Sequence, residues 1–437
     1  MKRKILQKLI SWKDKKKRKP LVVTGVRQCG KTYAIREFGN TCFDSFAYFN
    51  FEGNQGLQSI FRYDFNVKRI LTELELFSGQ KIVVGKTLVF FDEIQACPEA
   101  ITCLKYFCEN MPELHVVAAW SLLGVVMRQS AISFPVGKVE RLQMFPMSFD
   151  EFLMAFSEGD TLLEGIANYD LTRPLPELYT VPLQKYLKYY YVVGGMPEAV
   201  SCFVEENNFE KVNEILNNIL KDYSDDFSKH APTTDVPKLG LIWDSVPKQL
   251  AKENNKFVFS HVKAGKRAAD LEDALQWLFN AGLLHKLECV NQAEIPLANN
   301  ADGSLFKVYM CDVGLLRAKT GIDPKTVLED SPIYATFKGA FTENFVLNEL
   351  LKNEIHPYFW RSGNTAELDF LFEIKNEIYP VEVKADVHTK SKSYNVFCKK
   401  YSPKKGFVLS QKNIAITNDG GVETVRWPLY LCGSIGV

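Results

Sequence analysis

Short apolar runs alternate with amphipathic segments through the first third of the chain, and this alternation predicts where its strands and helices lie. The runs are rich in Val, Phe and Ala, as is typical of strands buried on both faces of a parallel sheet. We therefore predict an α/β fold in which helices cover both faces of a parallel sheet. The predicted strands contain LVV at 21–23, FAYFNFEG at 46–53, TLVFF at 87–91 and HVVAA at 115–119.

The middle of the chain has a different pattern. Helical periodicity dominates residues 150–235, with a predicted break at 172–182 and a tight turn between helices at Gly194-Gly195. From Lys238 onward the order is helix, turn, helix and a β-hairpin, which is the organisation of a winged helix.

The C-terminal part begins with an amphipathic helix at 338–353, and strands follow within 358–386. This order predicts a small α/β unit. The chain is thus divided into four predicted domains: a nucleotide-binding domain at 1–155, a helical linker region at 156–235, a winged-helix-like domain at 236–332 and a small α/β domain at 333–437.

Charge and cysteine content change this picture little. The net charge is +1, but the first twenty residues hold ten Lys or Arg and one Asp, around an amphipathic helix and a basic loop. That segment is a solvated surface or a contact for a phosphate backbone, and it lacks the features of a signal peptide. No apolar stretch is long enough to cross a membrane. The ten cysteines include no Cys-x-x-Cys pair, so we predict reduced thiols and a cytoplasmic protein.

A phosphate-binding loop is the strongest chemical signal. Gly25, four residues, and then Gly30-Lys31-Thr32 is the P-loop pattern, and it lies between a predicted strand and a predicted helix. Glycines let backbone N–H groups surround phosphate oxygens, Lys31 reaches the β- and γ-phosphates, and Thr32 binds Mg²⁺. The predicted ligands are ATP and Mg²⁺. The predicted nucleotide contacts are Gly25, Val26, Arg27, Gln28, Cys29, Gly30, Lys31, Thr32 and Tyr33.

Further strand ends supply the other groups that ATP hydrolysis needs. Asp92 and Glu93 end an apolar run, so we predict that Asp92 binds Mg²⁺ and that Glu93 polarises the attacking water. Ser121 ends the next strand and is placed to sense the γ-phosphate. Hydrolysis also uses a cation to neutralise transition-state charge. Arg128, Lys138 and Arg141 are candidates, and none of them stands out by sequence.

The sequence of the winged-helix-like region is compatible with two kinds of binding partner. Lys263, Lys266 and Arg267 come near the start of the second helix, where contacts to DNA phosphates are common. Acidic residues follow at once, and such domains also bind proteins. The region is therefore predicted to contact either DNA or a protein partner.

Near the C-terminus, Asp369, twelve residues and then Glu382-Val383-Lys384 is the spacing of the PD-(D/E)xK nuclease superfamily. In that pattern two carboxylates on neighbouring strands bind a divalent cation, and the lysine assists the attacking water. Glu343, on the preceding helix, corresponds to a third carboxylate. The alternative is a half-buried strand whose charged face is solvated. We predict Glu343, Asp369, Glu382 and Lys384 as catalytic, with Asp369 and Glu382 as metal ligands.

The combined motifs resemble a known family. GVRQCGKT, FFDEIQACPE, AAWSLLGVV and FPVGKVERLQMFPMSFDEFL resemble prokaryotic ATP-binding proteins that join an AAA+-like ATPase domain (AAA_14) to a C-terminal DUF4143 domain. The resemblance covers nearly the whole chain and implies an ATPase followed by a nuclease-like C-terminal domain. The family usually has Gly before Ser121, whereas this chain has Trp120, which either crowds the γ-phosphate or turns into the flank of the sheet.

Together these features predict an ATPase whose nucleotide state gates a nuclease-like module acting on DNA or another nucleic acid. The alternative is a nucleotide-dependent interaction protein, in which the winged helix recognises a protein and the nuclease-like fold is only a binding surface. A homo-oligomer is compatible with either function, and a membrane partner is not expected.

Overall fold

The computed structural model describes residues 1–121, 134–252, 256–363, 366–386 and 391–435. Its N-terminal part is built on a five-stranded sheet in which every neighbouring pair is parallel, in the order β2-β3-β4-β1-β5. The central strands are buried along their whole length, which explains their unbroken apolar runs. The strands are β1 (Leu21–Gly25), β2 (Ser45–Asn50), β3 (Thr87–Asp92), β4 (His115–Ser121) and β5 (Glu140–Met144).

Helices cover both faces of this sheet, as predicted. Alternate residues of β4 face opposite cores: Val117 and Ala119 pack on the side of α1 and α2 defined below, and Val116 and Trp120 pack on the side of α3, α4 and α5. Asn54 and Asn66 begin two of the helices by accepting backbone hydrogen bonds from the first turn. The helices are α1 (Ile5–Lys13), α2 (Lys31–Cys42), α3 (Gln55–Arg62), α4 (Val67–Ser78) and α5 (Pro98–Asn110).

A run of helices follows the sheet. The break predicted at 172–182 is shorter than expected, because the third helix of this run already begins at Glu177 and contains Pro182. The Gly194-Gly195 turn does separate two helices. Gly194 has φ +73°, and a Cβ there would lie 2.1 Å from an oxygen of Asp312, so only glycine fits. These helices are α6 (Phe149–Leu153), α7 (Gly159–Ala167), α8 (Glu177–Val193), α9 (Pro197–Glu206) and α10 (Phe209–His230).

The next segment has the predicted order of helix, turn, helix and hairpin. Its strands do not form a free-standing wing, because they extend the C-terminal sheet described below. The elements are α11 (Val236–Leu250), α12 (Phe259–Val262), α13 (Ala268–Asn280), β6 (Leu284–Val290), β7 (Ala301–Met310), α14 (Val313–Thr320) and α15 (Pro324–Leu328).

The C-terminal part has one long helix and a sheet of eight strands in the order β12-β13-β11-β10-β9-β8-β6-β7. The predicted boundary between residues 332 and 333 therefore separates strands of a single sheet, and β8 pairs directly with β6. The four domain limits stay a prediction. The elements are α16 (Pro332–Lys352), β8 (Tyr358–Ser362), β9 (Ala366–Ile374), β10 (Glu377–Val383), α17 (Lys392–Tyr401), β11 (Lys405–Ser410), β12 (Ala415–Asp419) and β13 (Val422–Pro428).

One apolar core runs from α1 and α2 through the middle helices to α16 and the C-terminal sheet. Within the described ranges, no helix combines the length and the apolar character that a bilayer crossing requires. All ten cysteines lie in described segments, and each is a free thiol.

Candidate functional site

The P-loop connects the end of β1 to the start of α2. Gly25 must be glycine because a Cβ there would lie 2.2 Å from the Met144 carbonyl oxygen on β5. Gln28 and Gly30 both have left-handed backbone conformations, with φ of 63° and 94°. These turns bring the chain round to the N-terminus of α2, where backbone N–H groups are free to bind an anion.

Lys31, Thr32 and Asp92 come together at this helix start. The Lys31 ammonium group is buried and donates to the carbonyl oxygens of Gly25 and Val26, at 3.0 and 2.8 Å. Thr32 Oγ1 donates to Asp92 Oδ2 at 2.9 Å, which joins the P-loop helix to the end of β3. Tyr48 also donates to Asp92 Oδ2, at 3.1 Å. A hydroxyl and a carboxylate held this close are the oxygen ligands that Mg²⁺ prefers.

Ser121 ends β4, which lies between β1 and β3 in the sheet. It therefore lies between the P-loop, which follows β1, and Asp92, which ends β3. Its strand register pairs it with Gly25. The Ser121 side chain is only 5% exposed, and its hydroxyl has no hydrogen-bond partner among the described residues. A buried hydroxyl without a partner costs free energy, so this position fits a polar ligand at the edge of the sheet.

Glu93 follows β3 and has a strained left-handed conformation, with φ 49°. Burial raises the pKa of its carboxyl, and Gln95 donates a hydrogen bond to it. The residues at this edge therefore fit ATP with Mg²⁺: a loop of N–H donors, a lysine, a hydroxyl–carboxylate pair, a buried serine hydroxyl and a nearby carboxylate.

The loop is also held by two elements outside the sheet. On one side Arg27 Nη1 donates to Asp226 Oδ1 at 2.5 Å, and Gln28 Nε2 donates to Asp222 Oδ2 at 2.8 Å. The Tyr223 hydroxyl, from the same helix α10, donates to the Arg27 carbonyl oxygen at 2.8 Å. These α10 contacts were missed from the sequence. Asp222 and Asp226 are spaced i, i+4 on one helix face, which is the signal that marks them.

On the other side, Arg3 contacts the loop through its Nη1, which donates to the Cys29 carbonyl oxygen at 2.8 Å. Cys29 itself is fully buried. Tyr33 is half-exposed, and its hydroxyl accepts a hydrogen bond from the amino group of Met1 at 2.9 Å.

Trp120 is buried in the core under α3, α4 and α5, with its ring centroid 5.8 Å from that of Phe134. Of the two alternatives for this residue, the structure therefore has the indole in the flank of the sheet.

The candidate transition-state cations lie elsewhere. Lys138 pairs with Glu109 at 2.9 Å, just before β5 begins, and Arg141 stacks on the ring of Phe134 at 4.1 Å. Since all strands are parallel, the start of β5 is at the edge opposite Gly25 and Ser121. Arg128 lies outside the described residues.

The three basic residues of the winged-helix-like region precede α13. Lys263 and Arg267 are exposed, and Lys266 lies 3.9 Å from Asp270. Asp270 also accepts a hydrogen bond from the Arg267 backbone N–H at 2.9 Å. The carboxylate of Asp270 thus lies directly beside the basic residues Lys266 and Arg267.

The C-terminal carboxylates lie at the junction of β9, β10 and α16. Asp369 Oδ2 accepts a hydrogen bond from the Val383 N–H at 2.7 Å, and Lys384 Nζ donates to Glu382 Oε1 at 2.6 Å. Glu382 is 4% exposed, and its Oε2 has no partner among the described residues. The pKa of Asp369 is raised well above its ordinary value by burial and by the charges of Glu382 and Glu343. Burial likewise raises the pKa of Glu382.

Residues from the upstream hairpin complete this cluster, and sequence reasoning missed them. Lys307 on β7 is 1% exposed, and its ammonium group lies 3.7 Å from Glu343 and 3.0 Å from Glu367. The Tyr309 hydroxyl donates to Glu343 Oε2 at 2.7 Å. Burial opposes the charge of Lys307, but Glu343 and Glu367 more than offset it, so its pKa is raised. Lys307 and Tyr309 lie in the predicted wing, and the sequence of β7, ADGSLFKVYM, has no pattern that marks this role.

A three-carboxylate cation cage is not formed. Across the described parts of the chain, no three His, Cys, Asp or Glu side chains are grouped so that they could hold a metal ion. The physical reason is that Tyr309 and Lys307 hold the Glu343 carboxylate. Asp369 and Glu382, with the unpartnered Oε2, still fit a two-carboxylate site.

Comparisons with known proteins agree with the N-terminal geometry. Residues 17–153 match the family model of an AAA domain, AAA_14. Residues 184–326 and 338–430 match two domains of unknown function, DUF8612 and DUF4143.

Two curated relatives, uncharacterized proteins of Mycobacterium bovis and Mycobacterium tuberculosis, are each 39% identical over 80 residues, which is 18% of this chain. The match covers only 17% of the length of these relatives.

Among solved structures, the Walker-type ATPase PABY2304 of Pyrococcus abyssi is 14% identical, with a TM-score of 0.44, over 72% of this chain and 94% of that one. The ORC2 protein of Aeropyrum pernix, in its ADPNP–ADP complexes, is 14% identical with a TM-score of 0.35, over 74% of this chain and 91% of that one. With TM-scores this low, neither likeness establishes a shared overall fold. The N-terminal part of the chain therefore has the geometry of a P-loop nucleotide-binding domain and matches the AAA domain model AAA_14 over residues 17–153.

Proposed function

We propose that the protein binds ATP with Mg²⁺ at the C-terminal edge of the N-terminal sheet and hydrolyses it. The observation that carries this proposal is the convergence of Lys31, Thr32 and Asp92 beside the buried hydroxyl of Ser121, which has no hydrogen-bond partner in the described parts of the chain. A strand end without chemical function gains nothing from burying a hydroxyl that no described residue binds.

Each residue has a defined task in this reaction. Lys31 exchanges the carbonyl oxygens of Gly25 and Val26 for phosphate oxygens. Thr32 and Asp92 would hold Mg²⁺, which neutralises phosphate charge when bound. Ser121 donates its hydroxyl to the γ-phosphate, and Glu93 orients the attacking water and accepts its proton.

The first prediction tests nucleotide binding. Lys31→Ala should abolish binding of a fluorescent ATP analogue, because the loop then lacks the lysine that would contact the β- and γ-phosphates. Binding is measured by fluorescence anisotropy, with circular dichroism to show that the variant is folded. Lys68→Ala, an exposed lysine of α4, is the matched control and should bind normally. Unchanged affinity in folded Lys31→Ala would refute the P-loop assignment.

For the output of the ATPase, we propose that the nucleotide state gates the C-terminal module, which acts on nucleic acid. Two observations support this: the paired carboxylates Asp369 and Glu382 with an unpartnered oxygen, and the contacts that link the P-loop to α10. The test incubates the full chain with plasmid, linear and single-stranded DNA, with Mg²⁺ or Mn²⁺, with and without ATP. Lys384→Ala and Asp369→Asn should each remove cleavage.

The second candidate is a nucleotide-dependent interaction protein whose nuclease-like part is a binding surface. The specific observation in its favour is that Glu343 is held by Tyr309 and Lys307 rather than grouped with the other two carboxylates. Absence of cleavage on all three DNA substrates, together with normal ATP turnover, would favour this second function.

A further inference from the structure

ATP hydrolysis needs a cation near the transferring phosphoryl group. Neither of the two predicted candidates that the structure describes, Lys138 and Arg141, fills this role. Lys138 and Arg141 lie toward the edge of the sheet opposite the P-loop and are engaged with Glu109 and Phe134. Arg27, in contrast, is part of the P-loop itself. Its side chain is about one third exposed and starts from the loop that would surround the phosphates.

Arg27 is held in place by a buried acid. Asp226 on α10 is 2% exposed and lies 2.5 Å from Arg27 Nη1. The backbone of Arg27 is fixed as well, because the Tyr223 hydroxyl donates to the Arg27 carbonyl oxygen at 2.8 Å. A guanidinium group has five N–H donors, of which Asp226 takes one, so donors remain for phosphate oxygens. No other arginine of the loop exists to compete for this place.

The guanidinium also lies near the hydrolytic carboxylate. Burial opposes its charge, but Asp226, Glu52 and Glu93 are close enough to outweigh this and raise the pKa of Arg27. Glu52 and Glu93 follow the C-terminal ends of β2 and β3, which is the edge where the γ-phosphate would lie. Arg27 is thus at the correct edge of the sheet and on the side of Glu93.

We infer that Arg27 is a catalytic residue that neutralises transition-state charge within its own chain, and that Asp226 is the positioning residue that holds its guanidinium. This inference rests on the proposed ATPase function. In the step, the water oxygen bonds to the γ-phosphorus while the bond from phosphorus to the β–γ bridging oxygen breaks, and its electron pair stays on ADP. The water proton passes to Glu93, and Arg27 donates hydrogen bonds to the phosphoryl oxygens without losing a proton.

The test separates binding from turnover. Arg27→Ala should bind the fluorescent ATP analogue within about threefold of the wild type, while its turnover falls by about 10³-fold, the size of an arginine-finger effect. Binding of ADP with aluminium fluoride, which mimics the transferring phosphoryl group, should weaken far more than binding of ATP.

Arg27→Lys should not restore turnover, because a lysine lacks the planar fork. Free guanidinium chloride should partly rescue Arg27→Ala but not Lys31→Ala. Arg62→Ala, an exposed arginine of α3, is the matched control.

A mixing experiment establishes whether Arg27 acts within one chain. Arg27→Ala retains an intact nucleotide site, and Lys31→Ala retains Arg27, so a residue acting between chains would restore activity in the mixture. We expect no restoration, and a turnover per chain that is independent of protein concentration. Restored activity would overturn action within one chain.

Asp226→Asn tests the positioning role. Its kcat should fall while its KM for ATP and its melting temperature change little, and the double variant with Arg27→Ala should be no slower than Arg27→Ala alone. Additive losses would overturn the positioning role. An active wild type with an equally active Arg27→Ala would overturn only this inference, whereas a wild type that binds ATP without any turnover would overturn the proposed ATPase function as well.

Discussion

The side chains of Trp120 and Ser121 point to opposite faces of β4. Although they are neighbours in sequence, one belongs to the apolar core and the other to the candidate nucleotide site. The indole packs under α3, α4 and α5, whereas the serine hydroxyl lies beside the P-loop. A sequence cannot assign the two faces of a strand that is buried on both sides, because both faces are apolar. Trp120 therefore remained open between two interpretations until its packing was known.

The second prediction concerns Trp120. Trp120→Ala should lower the free energy of unfolding by about 3–5 kcal/mol, the usual cost of removing a large buried aromatic ring. Urea denaturation monitored by circular dichroism measures the free energy of unfolding. Trp120→Phe should lower it less than Trp120→Ala does. A several-fold gain in ATP turnover with unchanged stability would instead show that the indole crowds the γ-phosphate.

The third prediction concerns His115, whose ring lies edge-to-face between Trp12 and Phe43. Burial, together with the charges of Arg18 and Lys13, lowers the pKa of His115 from 6.5 to about 4. The folded protein thus binds this proton less readily than the unfolded chain, so stability falls as the pH drops from 6.5 toward 4, by up to about 3 kcal/mol. His115→Phe should remove this part of the acid sensitivity in urea titrations. Exposed His261→Phe is the control, and an unchanged acid profile in His115→Phe would contradict the assignment.

At the scale of elements, what the sequence predicts well is local. The P-loop lies between adjacent elements, so its pattern is readable from a short window, and four of the five strands of the sheet follow from their apolar runs. The fifth strand, β5, lies at the edge of the sheet, and its sequence ERLQM has no apolar run. The pair Arg27–Asp226 is separated by 199 residues, and no local pattern encodes it. Likewise, helix, turn, helix and hairpin were predicted in the correct order, but the destination of β6 and β7 depends on a pairing with β8 that only the tertiary fold decides.

The hairpin formed by β6 and β7 gives the fourth prediction, because it carries Lys307 into the C-terminal carboxylate cluster. Lys307→Met leaves the partly buried Glu343 and Glu367 without this cation, although Lys256 still lies 3.4 Å from Glu367, so it should cost about 1–3 kcal/mol of stability. The double variant Lys307→Met with Glu343→Gln should recover part of the loss, since one uncompensated charge is removed. Denaturant titration measures both, with exposed Lys399→Met as the control. A neutral Lys307→Met would mean that water reaches these carboxylates in solution.

At the scale of the whole molecule, the eight-stranded sheet makes the C-terminal part dependent on residues before it. A fragment of residues 333–437 would lose Lys307 and Tyr309 and would leave the β8 edge without its β6 neighbour. An unpaired, apolar strand edge favours aggregation.

The fifth prediction follows from this dependence. The 333–437 fragment should show no cooperative unfolding transition and should elute as aggregates in size-exclusion chromatography, whereas the full chain is expected to unfold cooperatively. A monomeric fragment with a sharp melting transition would contradict this. Metal titrations of Asp369 and Glu382 therefore need the full chain.

The contacts of Arg3 and of Tyr223 with the P-loop also have a consequence for folding during synthesis on the ribosome. Arg3, which binds the Cys29 carbonyl oxygen, is synthesised before the loop. Tyr223, which binds the Arg27 carbonyl oxygen, is 196 residues downstream, so this hydrogen bond cannot form until that stretch has been synthesised. At about 5–20 residues per second, a ribosome needs roughly 10–40 seconds to add that stretch. Once β5 has been made, and until α10 follows, the nascent N-terminal domain has all strands of its sheet but only half of the support for its loop. Nucleotide affinity should thus arise late in synthesis, when α10 has emerged, and a ribosome-bound chain stalled before residue 209 should bind ATP more weakly than one stalled well beyond residue 230.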